Sequence, residues 1–420
     1  MNVPELAKTA GDRIAACRFC GGRLGISFCD LGATPLANSY VPPEHAGTPD
    51  PVFPLRAMAC DACQLVQLDH TADATGIFSD YAYFSSFSST WLTHAAAFCA
   101  DATSRFGLGP RSLVVEIASN DGYLLKNFVR SGIPCLGVEP AENVARAAIT
   151  AGVPTRVAFF GRAEAAQMVA ESGHADLVIA NNVLAHVPDV NDFVGGLALL
   201  AGPRGVVSIE APHLLSMIAG MQFDTIYHEH YFYWSLHAMM QVLAAHGLTV
   251  MRVDMLPTHG GSLRVSASAA PQGDPADLSH VQALETAALF ATPAGYAGFG
   301  ARVGSILDGL RTHLHALRGR RIAAYGAAAK GNTLLNAAGI TAADIAMVAD
   351  RNPAKQGRLL PGSRIPVVTP AALLAFRPEE VLILPWNIAG EVAGEMSVLR
   401  DWGGRLLVAV PHLQTVPFPA

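Results

Sequence analysis

Two clusters of residues in this chain have the types and spacing to do chemistry. Cys17-Arg-Phe-Cys20 and Cys60-Asp-Ala-Cys63 are two C-x-x-C pairs. Each sets both sulfurs on one tight knuckle, and two knuckles complete a tetrahedral set of thiolates for Zn²⁺. Four thiolates leave no open coordination position, so such a metal is structural. Cys29, Cys99 and Cys135 fall outside the pattern and read as small core residues. The second cluster is the run Phe223-Asp-Thr-Ile-Tyr-His-Glu-His-Tyr231. Tyr227, His228, Glu229 and His230 together offer a base, an acid and an orienting carboxylate. Removing a proton next to a ketone needs a base that titrates near neutrality and a donor to the developing enolate oxygen. Histidine suits the first task and a tyrosine hydroxyl the second. A His-x-His pair on a strand could instead bind a second metal, or both imidazoles could simply pack in a core.

A third segment has the form of a ligand turn. Leu113-Val-Val-Glu-Ile-Ala-Ser-Asn-Asp-Gly-Tyr-Leu-Leu125 reads as a buried strand, a tight turn and a helix start, which points backbone N–H groups at a ligand. Ala118 and Asn120 stand where glycines are usual, and only Gly122 remains. Alanine is small, and asparagine tolerates a left-handed backbone. Glu116 is placed to attract a cationic amino acid end. Glu139, closing the next strand, suits two ribose hydroxyls, and Asn181, with Asn182, ends a later strand at the same crevice. This set fits S-adenosylmethionine, whereas a dinucleotide wants a true G-x-G-x-x-G here. His186, in Leu184-Ala-His-Val-Pro-Asp189, falls where the catalytic loops of open α/β sheets gather, with helix capping as the alternative. Tyr81 and Tyr83 sit where they could close the pocket.

Elements that would position these residues follow from periodicity. Strands are expected at Leu113–Ile117, Pro134–Val138, Val153–Val157, Asp176–Ala180, Gly205–Ile209, Leu248–Val253 and Ser262–Ser268, with helices between the early ones. Seven strands with a close-spaced last pair fit a methyltransferase-type sheet. Before it, the Cys-, Gly- and Pro-rich stretch reads as a small zinc-stabilised unit with little helix. After the polar segment Ala270–Asp277, a helical pattern from Val281 to Leu317 leads to strand Arg321–Tyr325, helix Lys330–Ala338 and strands Ile345–Ala349 and Val381–Leu384. The expected division is 1–75, 76–275 and 276–420. Over 420 residues, 51% apolar and 15% charged with net charge −6, there is material for two or three cores and no basic surface for nucleic acid. No signal peptide or membrane-spanning run is read, so a cytoplasmic protein is expected.

The matching segments Cys17–Cys20, Leu31–Asn38, Cys60–Cys63, Tyr81–Ser86, Val115–Leu125, Phe223–Tyr231, His259–Arg264 and Tyr325–Asn332 span nearly the whole chain. On them the sequence resembles the sugar C-methyltransferases that add a methyl group at C3 of TDP-linked 4-keto-deoxysugars. The resemblance implies an α/β protein: an N-terminal zinc-binding domain, a central S-adenosylmethionine domain and a C-terminal Rossmann-like domain that helps hold the nucleotide sugar. It also implies His230 as the base, with Tyr227, Glu229, His186 and Tyr81 lining the sugar pocket; His228 is counted with the substrate-binding residues. Lys330, Asn332 and Thr333, at a helix start, could cradle the diphosphate. Gly326-Ala-Ala-Ala-Lys-Gly331 with Asp350 is close to a dinucleotide fingerprint, so a nicotinamide-dependent sugar ketoreductase, or a bifunctional enzyme, is the rival reading. A non-enzymatic scaffold gains nothing from Tyr227–His230. Elemental analysis of the purified protein is expected to give one zinc per chain, and Cys60→Ser to destabilise the fold; two zincs would favour the His-x-His metal site.

Overall fold

The computed structural model describes residues 13–70, 86, 89–270 and 276–419. Strands in three sheets account for its organisation. In the N-terminal sheet, β1 (Ile26–Thr34), β2 (Phe53–Ala59) and β3 (Val66–Leu68) run antiparallel, and the fourth strand, β9 (Phe232–Tyr233), comes from far along the chain. Val66 pairs with Tyr233 and Gln67 with Phe232. The zinc unit is therefore completed by residues that directly follow the Tyr-His-Glu-His run, a pairing invisible in local periodicity.

The central sheet has the expected seven strands: β4 (Val114–Ile117), β5 (Cys135–Val138), β6 (Thr155–Arg156), β7 (Leu177–Asn181), β8 (Val206–Pro212), β10 (Thr249–Leu256) and β11 (Ser262–Ser268). Their order is β10-β11-β8-β7-β4-β5-β6, with β11 antiparallel to both neighbours. Strand order switches sides between the parallel neighbours β4 and β7, which opens a crevice beyond the carboxyl ends of those strands. Strands β4 and β7 are buried along their whole length, as in parallel sheets covered on both faces. The expected strand at Val153–Val157 shrinks to two residues at the sheet edge, where only one side finds a partner.

A third sheet, β14-β13-β12-β15-β16-β17, is parallel except for its last strand. Its strands are β12 (Ile322–Tyr325), β13 (Val348–Ala349), β14 (Val367–Val368), β15 (Glu380–Ile383), β16 (Arg405–Val408) and β17 (Gln414–Val416). The helical pattern read from Val281 to Leu317 is two helices, Ala276–Ala287 and Phe299–Ala316, broken around Pro293–Tyr296, where proline starts a separate turn. Short strands β14, β16 and β17 carried too little alternation to be read from sequence.

The N-terminal sheet packs both ways. The knuckle residues Cys17, Cys60 and Cys63 share a core with central-sheet residues such as Val178 and with Trp234. Phe28, Leu55 and Leu68 share another with Phe223 and Ile226 of the polar-aromatic run and Leu334 and Leu384 of the third sheet's layer. Phe28 stacks on Phe299 with ring centroids 4.5 Å apart.

One buried carboxylate ties the helix after the catalytic segment to this assembly. Glu285 accepts from the N–H groups of Leu236 (2.6 Å) and His237 (2.8 Å), the first residues of helix Leu236–Ala245, and faces His213 Nε2 at 2.8 Å. It satisfies helix-end donors that have no partner within the helix. Glu285→Ala is expected to lower stability by about 2 kcal/mol or more, read from the urea unfolding midpoint.

Candidate active site

The four cysteine sulfurs lie within 4.8 Å of one another. Cys17 and Cys63 Sγ are 3.7 Å apart and Cys20 and Cys60 Sγ 3.5 Å. Amide N–H groups of Gly22 and Ala62 point at the sulfurs of Cys20 and Cys60, and Gln67 Nε2 donates to Cys17 at 3.0 Å. Such donors stabilise thiolate charge, so the set fits a structural Zn²⁺. Among the described residues it is the only cluster of this kind. His228 and His230 lie in a turn, not along a strand, so their side chains do not share a face.

That turn builds the chemical group. His230 N–H bonds the Tyr227 carbonyl at 2.9 Å, which folds the Tyr227 ring over the His230 imidazole at a centroid distance of 3.9 Å. His230 Nδ1 faces the Thr225 carbonyl oxygen at 2.8 Å and must donate to it. Nε2 is then the basic nitrogen, and it receives the Tyr227 hydroxyl at 2.7 Å. The tyrosine thus donates to the imidazole, where the sequence reading had it donate to an enolate oxygen. His186 stacks edge-on to His230 at 4.7 Å and donates from Nδ1 to the Glu229 carbonyl at 2.9 Å. Burial pushes His186 down to about 4; His230 lies well below the ordinary imidazole value through burial and then through His186. The Glu229 carboxylate, pushed up by burial, accepts from Asn38 Nδ2 at 2.8 and 2.9 Å. The His228 ring is buried and its Nε2 is bonded to the Phe53 carbonyl at 3.2 Å, which ties it to β2. Tyr81 and Tyr83 lie outside the described residues.

At the crevice of the central sheet, Ala118, Asn120 and Gly122 all take left-handed φ, at 56°, 49° and 75°. A non-glycine residue there costs roughly 1–2 kcal/mol, which the turn accepts to aim its backbone at the crevice. Glu139 accepts from Asn120 N–H at 3.0 Å and Ala141 N–H at 2.9 Å. Glu116 is buried, and its carboxyl is raised well above the usual range by burial and by the charges of Glu139 and Asp121. Glu116 Oε2, Asp121 Oδ1, Asn181 Oδ1 and both Asn182 amide atoms are buried with no partner among the described residues. Three carboxylates and two amides converging without a counter-charge fit a cationic ligand with hydrogen-bonding ends, as the ammonium, sulfonium and ribose of S-adenosylmethionine provide.

Elements of the third sheet close the other side. Asn332 Nδ2 bonds the Ala37 carbonyl at 2.6 Å, and Thr333 Oγ1 the Ile226 carbonyl at 3.2 Å. Both side chains are buried, and these bonds pin the residues preceding Asn38 and Tyr227. Lys330 remains at the pocket side: its Nζ bonds Asn387 Oδ1 at 2.8 Å and lies 4.7 Å over the Trp386 ring. Trp386 Nε1 donates to the buried Asp224 at 2.8 Å, and burial raises the Asp224 carboxyl to about 6. The Gly326–Ala328 turn is covered by the hydroxyl of Tyr40 and by Lys355 Nζ, both bonded to the Ala327 carbonyl. Sequence reasoning missed Asn38, 191 positions from the carboxylate it holds. It also missed Asp224, whose position between apolar Phe223 and Ile226 was its one signal.

Sheet order, left-handed turn and converging carboxylates define a methyltransferase of the S-adenosylmethionine class with a zinc-binding unit attached. Family models match along the chain: a C-methyltransferase C-terminal domain over residues 257–411, a zinc binding domain over 17–78 and a methyltransferase domain over 91–253. C-methyltransferase NovU of Streptomyces niveus is 32% identical over 96% of this chain and 97% of its own length. A ubiquinone biosynthesis O-methyltransferase of Rhodopseudomonas palustris is 31% identical over 28% of this chain and 49% of its own. Magnesium protoporphyrin IX methyltransferase from Synechocystis PCC 6803 with bound SAH superimposes with TM-score 0.36 at 16% identity, covering 47% of this chain and 94% of that one; so low a score carries no weight. The chain belongs to the S-adenosylmethionine-dependent C-methyltransferases. No helix among the described residues is long and apolar enough to cross a membrane.

Glu116→Gln keeps shape and removes one charge from the cluster. It is expected to weaken S-adenosylmethionine binding by roughly tenfold or more in titration calorimetry.

Proposed function

We propose that the enzyme transfers a methyl group to C3 of a nucleotide-activated, TDP-linked 4-keto-deoxysugar. The observation that carries this reading is the orientation of His230. Its Nδ1 is committed to the Thr225 carbonyl, and its basic Nε2 sits beside Tyr227, His186 and Glu229. Lys330 depresses its basicity from across the site. The pocket thus adjoins both the crevice of the central sheet and the edge of the third, which suits an enzyme that must bring two large ligands together.

In this reading the chain divides near residues 75 and 275. Glu116, Ala118, Asn120, Gly122, Glu139 and Asn181 hold S-adenosylmethionine, which supplies an electrophilic methyl group. Tyr227, Glu229 and His186 line the sugar pocket, and Lys330 attracts the diphosphate. The nucleotide end lies toward the crevice formed by Tyr325, Asp350 and Arg351 at the carboxyl ends of the third sheet's strands. His230 Nε2 takes the C3 proton after Tyr227 yields its place to substrate. The neighbouring carbonyl stabilises the carbanion as an enolate, and a depressed imidazole stays unprotonated and ready at neutral pH.

His230→Ala is expected to reduce methyl transfer by about 10²–10⁴-fold, while S-adenosylmethionine affinity measured by calorimetry stays close to that of the native enzyme. Because protonation silences the base and its value lies well below 6.5, kcat/KM of the native enzyme should hold level from pH 8 to pH 6.5 and fall only in more acidic solution. A His230→Ala enzyme that keeps half of its turnover would remove that residue from the role.

A further inference from the structure

The segment His259-Gly260-Gly261 has an unusual backbone. His259 takes φ 56° and ψ 19°, and Gly260 and Gly261 follow with φ of 90° and 118°. Three consecutive residues with positive φ are held by close approach. A Cβ on Gly260 would lie 2.5 Å from the Trp386 ring, and one on Gly261 would lie 2.4 Å from Ser216 Oγ. Gln222 Nε2 grips the Gly260 carbonyl at 2.7 Å. The two glycines are explained by these contacts. The histidine is not: a glycine, or an asparagine, would take its conformation with less strain.

Strain at a non-glycine residue persists where the side chain has a use. The His259 ring is exposed to solvent at the pocket, with its centroid 5.0 Å from that of Trp91. Trp91 in turn stacks on Tyr123 of the cofactor turn at 6.0 Å. Its neighbour Gly260 packs on Trp386, the ring over which Lys330 Nζ lies at 4.7 Å, so the histidine stands between Trp91 and the Lys330 side of the site. Among the described residues its nitrogens have no hydrogen-bond partner. The neutral imidazole carries one N–H donor and one lone pair.

Apart from Tyr227, whose hydroxyl must leave His230 Nε2 when substrate enters, the polar groups around His230 are engaged: His186 Nδ1 donates to the Glu229 carbonyl, and the Glu229 carboxylate accepts from Asn38. We propose that His259 is a catalytic residue that donates its N–H to the substrate carbonyl oxygen as it becomes an enolate. This rests on the keto-sugar reading above. In the step, the C3–H bond breaks, its proton goes to His230 Nε2, and its electron pair forms the C3–C4 double bond. The carbonyl π pair moves onto the oxygen, where the neutral imidazole meets the new charge.

The test is exchange of the C3 hydrogen of a TDP-4-keto-deoxysugar in heavy water, followed by NMR with S-adenosylhomocysteine present. It is run on the native enzyme, His259→Gly and His259→Asn. Both substitutions suit a left-handed backbone, so Tm should stay level or rise. Exchange and kcat should fall about 100-fold in His259→Gly, the loss associated with one oxyanion donor. They should fall less in His259→Asn, whose amide still donates. Exchange by His259→Gly within threefold of the native rate, or a loss matched by a lower Tm in both variants, overturns the assignment. If the native enzyme exchanges no C3 hydrogen, the keto-sugar reading fails and this inference with it.

Discussion

The arrangement depends on two paired residues, Val66 with Tyr233 and Gln67 with Phe232. Through them the zinc unit's sheet takes in the strand that follows the Tyr-His-Glu-His turn. Gln67 itself bonds a knuckle sulfur and the Arg18 N–H, so the register of that pairing is linked to the metal set. A strand slipped by one residue would turn its side chains to the opposite face. The proposed base is thus fixed through a short ladder to a unit whose own fold is fixed by thiolates.

Electrostatics divide the pocket into two halves. Toward the central crevice, Glu116, Asp121 and Glu139 lie together, and mutual repulsion plus burial lifts the Glu116 carboxyl. That half favours a positive ligand. Toward the third sheet, His186, His230 and His259 are all held neutral, and Lys330 is the nearby cation. That half favours a ligand that is negative or becomes so. A low-dielectric site with opposite preferences on its two sides suits the sulfonium and the developing enolate of the proposed reaction.

Much of this was legible in the chain. The seven central strands follow from alternating strand and helix periods, and Ser262–Ser268 agrees to the residue. The C-x-x-C spacing announced the knuckles because the thiolates of each pair are neighbours in sequence. What failed was anything whose partner is remote. Asn332 and Thr333 looked like ligand-binding residues at a helix start, and only the folded chain shows them bonded to Ala37 and Ile226. His228 and His230 look equivalent as letters, yet the turn sends one to β2 and the other to the pocket.

The sequence by itself determined the thiolate set, the order of the central strands, the left-handed ligand turn and the presence of a Tyr-His-Glu-His group, since each is written in spacing over a few residues. Only the tertiary structure decided which imidazole faces the pocket, that Asn38 holds Glu229, and that the third sheet supplies Lys330 opposite His230. These depend on contacts between segments up to about 290 residues apart, such as Asn332 with Ala37. No local pattern encodes such a contact, because its energy appears only when the separate cores have formed and packed together.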